Sequence, residues 1–186
     1  MNVYDFDGTI YKGDSTLDFY LFALRRKPAL VCCWPRQLRG ILLYKLHKIS
    51  KTDMKEYFYC FLQKIPAEEM LEEFWNEKQC RICSWYLQQK KADDVVISAS
   101  PEFLLQPVCE RLQIKSLIAS RVDMHTGRYA GKNCRGKEKV ERFYAVYPQG
   151  QIEKFYSDSQ ADLPLAQISG KAFLVKNGSI KPWICE

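Results

Sequence analysis

The chain has 186 residues, 47% of them apolar, which suits one domain, or one domain with a modest insertion, around an ordinary core. Its net charge of +6 comes from one segment, residues 19–52, which has eight basic residues and no acidic residue. The rest of the chain has 20 basic and 22 acidic residues, and no nucleic-acid-binding motif accompanies the basic segment, so we expect no nucleic-acid partner.

The first nine residues predict a short buried strand that ends in two acidic residues, Asp5 and Asp7, followed by Gly8. Side chains two positions apart in a strand point to the same face, so these carboxylates start as neighbours. Two such anions about 4 Å apart repel by roughly 4 kcal/mol at an effective dielectric near 20. The pair therefore requires a cation, a shared proton or a bend in the chain, and Gly8 allows the bend.

Residues 14–91 have the pattern of several helices and no strand signal. The first helix begins at a capping sequence around Ser15 and ends before Pro28. Two later helices are predicted over residues 53–64 and 66–91, the second with glutamates near the positive end of its dipole. We therefore expect a helical insertion that follows the first strand in the chain.

A basic amphipathic helix is predicted within this insertion, after an apolar run over residues 29–35 that is too short to span a bilayer. Its apolar positions, spaced as on one helix face, are Leu38, Ile41, Leu42, Leu46 and Ile49. Its basic residues are Arg36, Arg39, Lys45 and Lys48. Two interpretations stay open: a surface helix that packs on its neighbours, or an interfacial element that rests on anionic lipid or gathers an anionic substrate.

The chain contains eight cysteines, which are Cys32, Cys33, Cys60, Cys80, Cys83, Cys109, Cys134 and Cys185. Because the sequence begins almost directly in a predicted strand, we expect no signal peptide, and therefore reduced thiols in the cytoplasm. Cys80 and Cys83 form a Cys-x-x-Cys pair, but neither a second pair nor paired histidines follow at zinc-site spacing. We interpret both as small apolar residues on one helix face.

A second strand over residues 95–97 ends in Ser98, Ala99 and Ser100, just before a predicted helix. Hydroxyl and backbone N–H donors at such a position, with the helix dipole behind them, can bind an oxyanion. Serine is also a common helix cap, so Ser100 is either an auxiliary contact or a cap.

Two further elements supply a cation and more carboxylates. A helix that begins near Gly136 presents Lys137 and Lys139 on opposite sides of its apolar stripe, and helical geometry does not decide which of them reaches the carboxylates. A strand over residues 154–157 ends in acidic residues four positions apart. The predicted cluster is Asp5, Asp7, Asp158 and Asp162. It requires a hard divalent ion to stay ionised, and oxygen-only ligation selects magnesium.

Four segments of the chain resemble, in order, the four motifs of the haloacid dehalogenase superfamily. They are Asp5-Phe-Asp-Gly-Thr, Ser98-Ala-Ser-Pro-Glu-Phe, Gly136-Lys-Glu-Lys-Val and Asp158-Ser-Gln-Ala-Asp-Leu-Pro-Leu. The second segment and the position of the helical insertion resemble the phosphoserine phosphatase-like branch. This resemblance implies an α/β fold: a Rossmann-like parallel sheet core over residues 1–13 and 92–186, with a helical cap over residues 14–91 inserted after the first strand.

The resemblance also implies a phosphatase mechanism. Asp5 is the nucleophile and Asp7 the general acid and base, while Ser98, Ala99 and Lys139 hold the phosphate; the family pattern Gly-x-x-Lys favours Lys139 over Lys137. The implied cofactor is Mg²⁺, with Asp5, Asp7, Asp158 and Asp162 as the metal-site residues. Asp7 contributes its backbone carbonyl, and Asp162 orders the metal's water or the lysine.

The substrate is less well defined. Tyr11, Asp14 and the cap helices are expected to line the entrance, and Asp14 is the nearest candidate for a glutamate that phosphoserine phosphatases place after their first motif. The basic cap and the segments Cys134-Arg-Gly-Lys-Glu-Lys-Val and Tyr156-Ser-Asp-Ser are similar to bacterial phosphatidylglycerophosphatase C. The expected partner is therefore a phosphorylated small molecule or a lipid headgroup, with peripheral contact at the inner membrane surface in the second case. A non-enzymatic phosphate-binding protein is a third alternative.

Overall fold

A six-stranded sheet forms the centre of the computed structural model, which describes residues 1–176 and 178–184. Its strands are β1 (Asn2–Tyr4), β2 (Val95–Pro101), β3 (Ser116–Ser120), β4 (Ile152–Ser157), β5 (Ser169–Lys176) and β6 (Ser179–Pro182). The order is β3-β2-β1-β4-β5-β6, and all neighbours are parallel except β5 and β6. The predicted α/β fold with a parallel sheet is confirmed.

The central strand β1 is buried on both faces because successive side chains enter different hydrophobic clusters. Tyr4 stacks on Tyr156 of β4 with ring centroids 4.9 Å apart. Val3 points to the opposite face, into the cluster that contains Phe143 and Phe155. Helices therefore cover both faces of the sheet, and the carboxyl ends of β1, β2 and β4 meet at one edge, where sites of open parallel sheets lie.

Eight α-helices surround the described part of the sheet. They are α1 (Ser15–Arg26), α2 (Trp34–Lys45), α3 (Lys51–Phe58), α4 (Ala67–Lys78), α5 (Ser84–Gln89), α6 (Glu102–Arg111), α7 (Lys137–Val146) and α8 (Leu163–Gln167). The first five lie between β1 and β2 in the chain, so the region that follows the first strand is mainly helical. The exact limits of the cap remain a prediction.

The single helix predicted over residues 66–91 is wrong, because the chain breaks between α4 and α5. Ile82 forms an antiparallel bridge with Tyr11, and the backbone N–H of Cys83 donates to the carbonyl of Ile10 at 2.8 Å. The helix predicted over residues 53–64 likewise ends early, with a 3-10 turn over its second half. The break at Ile82 and Cys83 ties the helical region to the segment that follows β1.

The two cysteines of the Cys-x-x-Cys pair do not share a helix face, which corrects the prediction. Cys80 is exposed in a 3-10 turn, whereas Cys83 is buried just before α5. Every described cysteine is a free thiol. Cys185 lies outside the described residues.

Helix α2 packs on α3 through its small and polar side rather than its apolar one. Gln37 and Gly40 are its buried residues, and a Cβ on Gly40 would lie 2.3 Å from the Cβ of Tyr57. Four aliphatic residues predicted on its apolar stripe are exposed instead: Leu38, Ile41, Leu42 and Leu46. We call these four residues the α2 face. Among the helices of the described residues, none has both the length and the apolar character needed to cross a membrane.

Candidate active site

All seven residues predicted for the site line one pocket of about 540 Å³ at the carboxyl edge of the sheet. These are Asp5, Asp7, Ser98, Ala99, Lys139, Asp158 and Asp162. They arrive from the ends of β1, β2 and β4, from α7, and from the turn before α8. Parallel strands place their carboxyl ends together, which is why residues so distant in sequence meet here.

Lys139 is the buried cation of this pocket, with 1% of its surface exposed. Its Nζ donates to Oδ1 of Asp5 at 2.8 Å and to Oδ2 of Asp162 at 2.7 Å. Burial disfavours the ammonium ion, but the charges of these two carboxylates outweigh burial and raise the pKa of Lys139. Lys137 is exposed, so the structure places Lys139 and not Lys137 against the carboxylates.

Asp5 is held between the sheet and this lysine. Its backbone N–H donates to the carbonyl of Tyr156 at 2.8 Å, which fixes the start of the loop after β1. Burial raises the pKa of the Asp5 carboxyl above its ordinary range, against the opposing charge of Lys139. The Lys139 ammonium therefore stabilises the charged form of this carboxyl against the effect of its burial.

The loop after β1 alternates between the pocket and the core. Asp5 and Asp7 face the pocket, whereas Phe6 between them is fully buried and packs edge-on against Trp75 with ring centroids 6.1 Å apart. Gly8 follows with φ +70°, and a Cβ there would lie 2.1 Å from Oδ2 of Asp158. The glycine thus allows both the bend and the close approach of the Asp158 carboxylate.

Asp7 has a different environment from Asp5. Its Oδ1 accepts the backbone N–H of Ser15 at 2.6 Å, and its Oδ2 accepts the hydroxyl of Ser100. Burial, together with the charge of Asp14, raises the pKa of Asp7 to about 6, although the two serines oppose the shift. A carboxyl with such a pKa can donate a proton and later accept one near neutral pH.

Ser98 and Ala99 lie in the last part of β2, where its register with β3 shifts between Ile97 and Pro101. The Ser98 hydroxyl is buried and accepts the backbone N–H of Ser100 at 3.1 Å. The carbonyl of Ala99 accepts hydrogen bonds from Lys55 Nζ at 2.8 Å and Ser120 Oγ at 3.1 Å. Both residues are therefore held in place at the wall of the pocket before any ligand arrives.

The residues present fit a hard divalent cation. Among the described residues, no three acidic, histidine or cysteine side chains gather closely enough to hold a metal ion between them. The expected ligand set does not require three, because two carboxylates, Asp5 and Asp158, would act with the backbone carbonyl of Asp7. All three donors are oxygens, which is the chemistry that magnesium prefers. Oδ2 of Asp162 is already shared by Lys139 and Ser157, at 2.7 and 2.8 Å.

The predicted entrance differs from the observed one. Tyr11 is fully buried and its hydroxyl donates to Asp18 at 2.7 Å, so its placement at the entrance is wrong. Asp14 does line the pocket, and its carboxylate also caps α1 by accepting the backbone N–H of Leu17 at 2.9 Å. The helix cap is thus Asp14 itself and not the serine after it.

Three cationic residues of the pocket were missed by the sequence analysis. Lys51 and Lys55 come from α3, and Arg135 precedes α7. The spacing of Lys51 and Lys55 with Met54, at positions i, i+4 and i+3, predicts a shared helix face. No motif indicated that this face turns toward the carboxylates.

The fold and the pocket are those of an α/β enzyme whose site lies at the carboxyl edge of a parallel sheet. A family model described as haloacid dehalogenase-like hydrolase matches residues 3–167, which include every predicted site residue. The chain belongs to this family. The predicted superfamily is therefore confirmed, and with it the prediction of an enzyme of the hydrolase class.

The chain is also similar to individual known proteins. A Mycobacterium tuberculosis protein named as a probable phosphatase is 30% identical over 106 residues, or 49% of this chain and 37% of that protein. The chain spans about two fifths of the length of such curated relatives. A Bordetella pertussis protein of unknown function has a TM-score of 0.73 at 20% identity, over 92% of this chain and 87% of that one.

A phosphoserine phosphohydrolase-like protein from Francisella tularensis has a TM-score of 0.56 at 18% identity, over 92% of this chain and 86% of that one. At such identities the likeness concerns the fold. It agrees with the predicted phosphoserine phosphatase-like branch.

Proposed function

We propose that the chain is a magnesium-dependent phosphomonoesterase that hydrolyses a phosphate ester through an aspartyl phosphate on Asp5. The observation that carries this proposal is the buried contact between Asp5 and Lys139, beside a second carboxyl, Asp7, whose pKa is raised to about 6. Lys139 stabilises the charged form of Asp5 that attack requires, and the raised pKa of Asp7 suits it to proton transfer. The name of the mycobacterial relative and the hydrolase family both favour a phosphatase.

In the first step, a carboxylate oxygen of Asp5 attacks the phosphorus in line, and the bond from phosphorus to the ester oxygen breaks. Asp7 gives its proton to the departing alkoxide, which leaves as an alcohol. Ser98 and the backbone N–H of Ala99 hold the transferring oxygens, and Lys139 balances their charge. Asp162 keeps Lys139 in position through the 2.7 Å contact.

In the second step, Asp7 is a carboxylate and accepts a proton from a water molecule, which attacks the phosphorus of the aspartyl phosphate. Phosphate leaves, Asp5 regains its carboxylate, and Asp7 is again protonated. The hydrogen bonds from Ser15 and Ser100 hold the Asp7 carboxyl in one orientation through both steps.

Removal of magnesium is expected to abolish turnover. Asp5, Asp158 and the carbonyl of Asp7 would hold the ion, which offsets repulsion between the nucleophile and the phosphate when bound. EDTA should stop phosphate release and added Mg²⁺ should restore it. Asp158→Asn should weaken Mg²⁺ binding, measured by titration calorimetry, by about tenfold or more. Full activity in EDTA would contradict the proposed cofactor.

A second candidate function is the hydrolysis of a lipid phosphate at a membrane surface, and the α2 face is the observation that favours it. Leu38 and Leu42 are 63% and 58% exposed. They lie in the segment that carries eight basic residues and no acidic one. Exposed aliphatic side chains beside basic ones are the pattern of a helix that rests on an anionic bilayer. The chain would then act in the cytoplasm at the inner membrane surface.

Vesicles of equal parts phosphatidylcholine and phosphatidylglycerol are expected to retain the protein at low salt and release it at high salt. The double variant Leu38→Ser and Leu42→Ser should lower the bound fraction by about tenfold or more, because each buried leucine contributes about 1.5–3 kcal/mol. Val146→Ser removes a similarly exposed residue from α7 and should change little.

A lipid phosphatase should also prefer phosphatidylglycerophosphate in mixed micelles to phosphoserine and other small esters. Failure of the wild-type chain to bind the anionic vesicles at low salt would remove this candidate. The α2 face would then be left without a lipid role, and the soluble esters would remain as the substrates to test.

A further inference from the structure

The two carboxylate oxygens of Asp7 are held by two different parts of the fold. Oδ1 accepts the backbone N–H of Ser15, in the first turn of α1, and Oδ2 accepts the hydroxyl of Ser100, near the end of β2. An ionised carboxylate offers about four lone-pair positions, so these two bonds leave others for a substrate in the pocket. The direction of the free positions depends on how firmly Ser100 is held.

The Ser100 hydroxyl has a second partner, which is Thr16 of α1. The two side-chain oxygens lie 3.0 Å apart. A hydroxyl group has one hydrogen, and Ser100 gives its hydrogen to Asp7, so the hydrogen between the two hydroxyls comes from Thr16. The bonds therefore run in one direction, from Thr16 through Ser100 to the carboxylate. Groups in such a chain polarise one another, which strengthens the last bond.

Thr16 supports the pocket without lining it. Asp7 and Ser100 line the pocket, whereas Thr16 does not. Thr16 also lies outside the four segments that resemble the family motifs. Any effect of its hydroxyl on a bound substrate is therefore transmitted through Ser100 and Asp7.

Both ends of the contact between Thr16 and Ser100 are anchored. On α1, the carboxylate of Asp18 accepts the hydroxyl of Tyr11 at 2.7 Å and the guanidinium of Arg81 at 2.8 Å. These bonds hold the turn of the helix that carries Thr16. Ser100 belongs to β2, which lies between β1 and β3 in the sheet. The contact thus joins the first helix to the sheet at the site itself.

The hydrogen from Thr16 has a specific consequence when Asp7 carries a proton. A serine oxygen can accept as well as donate, so a Ser100 oxygen without a donor would attract the proton of Asp7. A proton held in that way is not directed at a leaving group. Because Thr16 occupies one acceptor position of Ser100, it favours the arrangement in which Ser100 donates to Asp7. The proton of Asp7 is then left to face the pocket.

We infer that Thr16 is a positioning residue for the general acid of this site: through Ser100 it keeps the Asp7 carboxyl turned so that its proton reaches the leaving group. This inference rests on the proposed phosphatase function and adds a residue that the proposed mechanism does not include. Since Thr16 and Ser100 belong to different elements, the placement of the acid also depends on how α1 is seated against β2.

The test compares two esters that differ in their need for an acid. An alkyl ester releases an alkoxide, which requires a proton, whereas para-nitrophenyl phosphate releases a stable phenolate. The alkyl ester is glycerol 3-phosphate or phosphoserine, whichever the wild-type chain hydrolyses faster. In Thr16→Val, kcat/KM should fall by about fivefold to tenfold for the alkyl ester, the effect of one hydrogen bond, and by about twofold or less for the aryl ester. An equal fall for both would overturn the inference.

Further variants show whether Thr16 acts through Ser100. Ser100→Ala should cause a selective loss on the alkyl ester that is at least as large, and adding Thr16→Val to it should cause no further loss. Thr16→Ser restores the hydroxyl and should recover most of the rate. Thr126→Val removes a hydroxyl from an exposed turn outside the pocket and should leave the ratio between the esters unchanged. Independent losses that multiply in the double variant would overturn the role of Ser100 as the link.

The same measurements separate this inference from the proposed function. A wild-type chain that releases phosphate from neither class of ester would overturn both. A chain whose turnover depends on Asp5, but whose Thr16→Val variant behaves alike toward the two esters, would keep the phosphatase function and remove the role of Thr16. Partial unfolding cannot imitate the expected result, because a smaller folded fraction lowers kcat/KM for both esters equally.

Discussion

Asp5→Asn is expected to lower phosphate release from every substrate by about 10⁴-fold or more while the fold stays intact. The amide has nearly the shape of the carboxylate but is a far weaker nucleophile, so no aspartyl phosphate forms. Lys139 keeps Asp162 as a charged partner, at 2.7 Å, which limits the effect on stability. Initial rates of phosphate release, with circular dichroism as a check on folding, measure the effect.

The matched control is Asp93→Asn, which removes an exposed carboxylate in the turn before β2. Its rate should stay within about twofold of the wild type, because an isolated surface substitution changes the free energy of unfolding by about 0.5 kcal/mol or less. If Asp5→Asn keeps a tenth of the wild-type rate, Asp5 is not the nucleophile. If the wild-type chain releases no phosphate from any ester, the alternative of a non-enzymatic phosphate-binding protein gains support.

The residues of the site were predictable because their signals are local. Two acids after a short apolar strand, and two serines at the end of another, can each be recognised within about ten residues of sequence. Strand ends of a parallel sheet then bring them together without further information. The choice between Lys137 and Lys139 was different: helical spacing left it open, and the structure places Lys139 on Asp5 and Asp162.

The contacts that the sequence did not predict depend on tertiary packing. Continuous helical periodicity over residues 66–91 gave no sign of the break at Ile82, which follows from its bridge to Tyr11. Strands β5 and β6 were not predicted at all. The apolar stripe of α2 left open whether that face packs on neighbouring helices or is exposed, and the close approach of Gly40 to Tyr57 places the other side of the helix inward.

Lys139→Met is expected to lower the free energy of unfolding by about 3–5 kcal/mol, because it leaves two carboxylates buried without their common cation. Asp5 and Asp162 are 8% and 2% exposed, so water screens little of their repulsion. Methionine fills a volume similar to that of the lysine stem, so a lost charge and not a cavity dominates the change. Urea unfolding in EDTA measures the effect without a bound metal ion.

Two variants test this explanation against a simple packing defect. Lys137→Met removes an exposed lysine two positions away and should change the free energy of unfolding by about 0.5 kcal/mol or less. Adding Asp162→Asn to Lys139→Met removes one of the two unpaired charges, so it should recover part of the lost stability, whereas Asp162→Asn alone should destabilise the protein. If the double variant is less stable than Lys139→Met, repulsion between the carboxylates is not the cause. Both variants that lack Lys139 should also lose turnover, because the same ammonium group holds Asp5 for attack on the phosphorus.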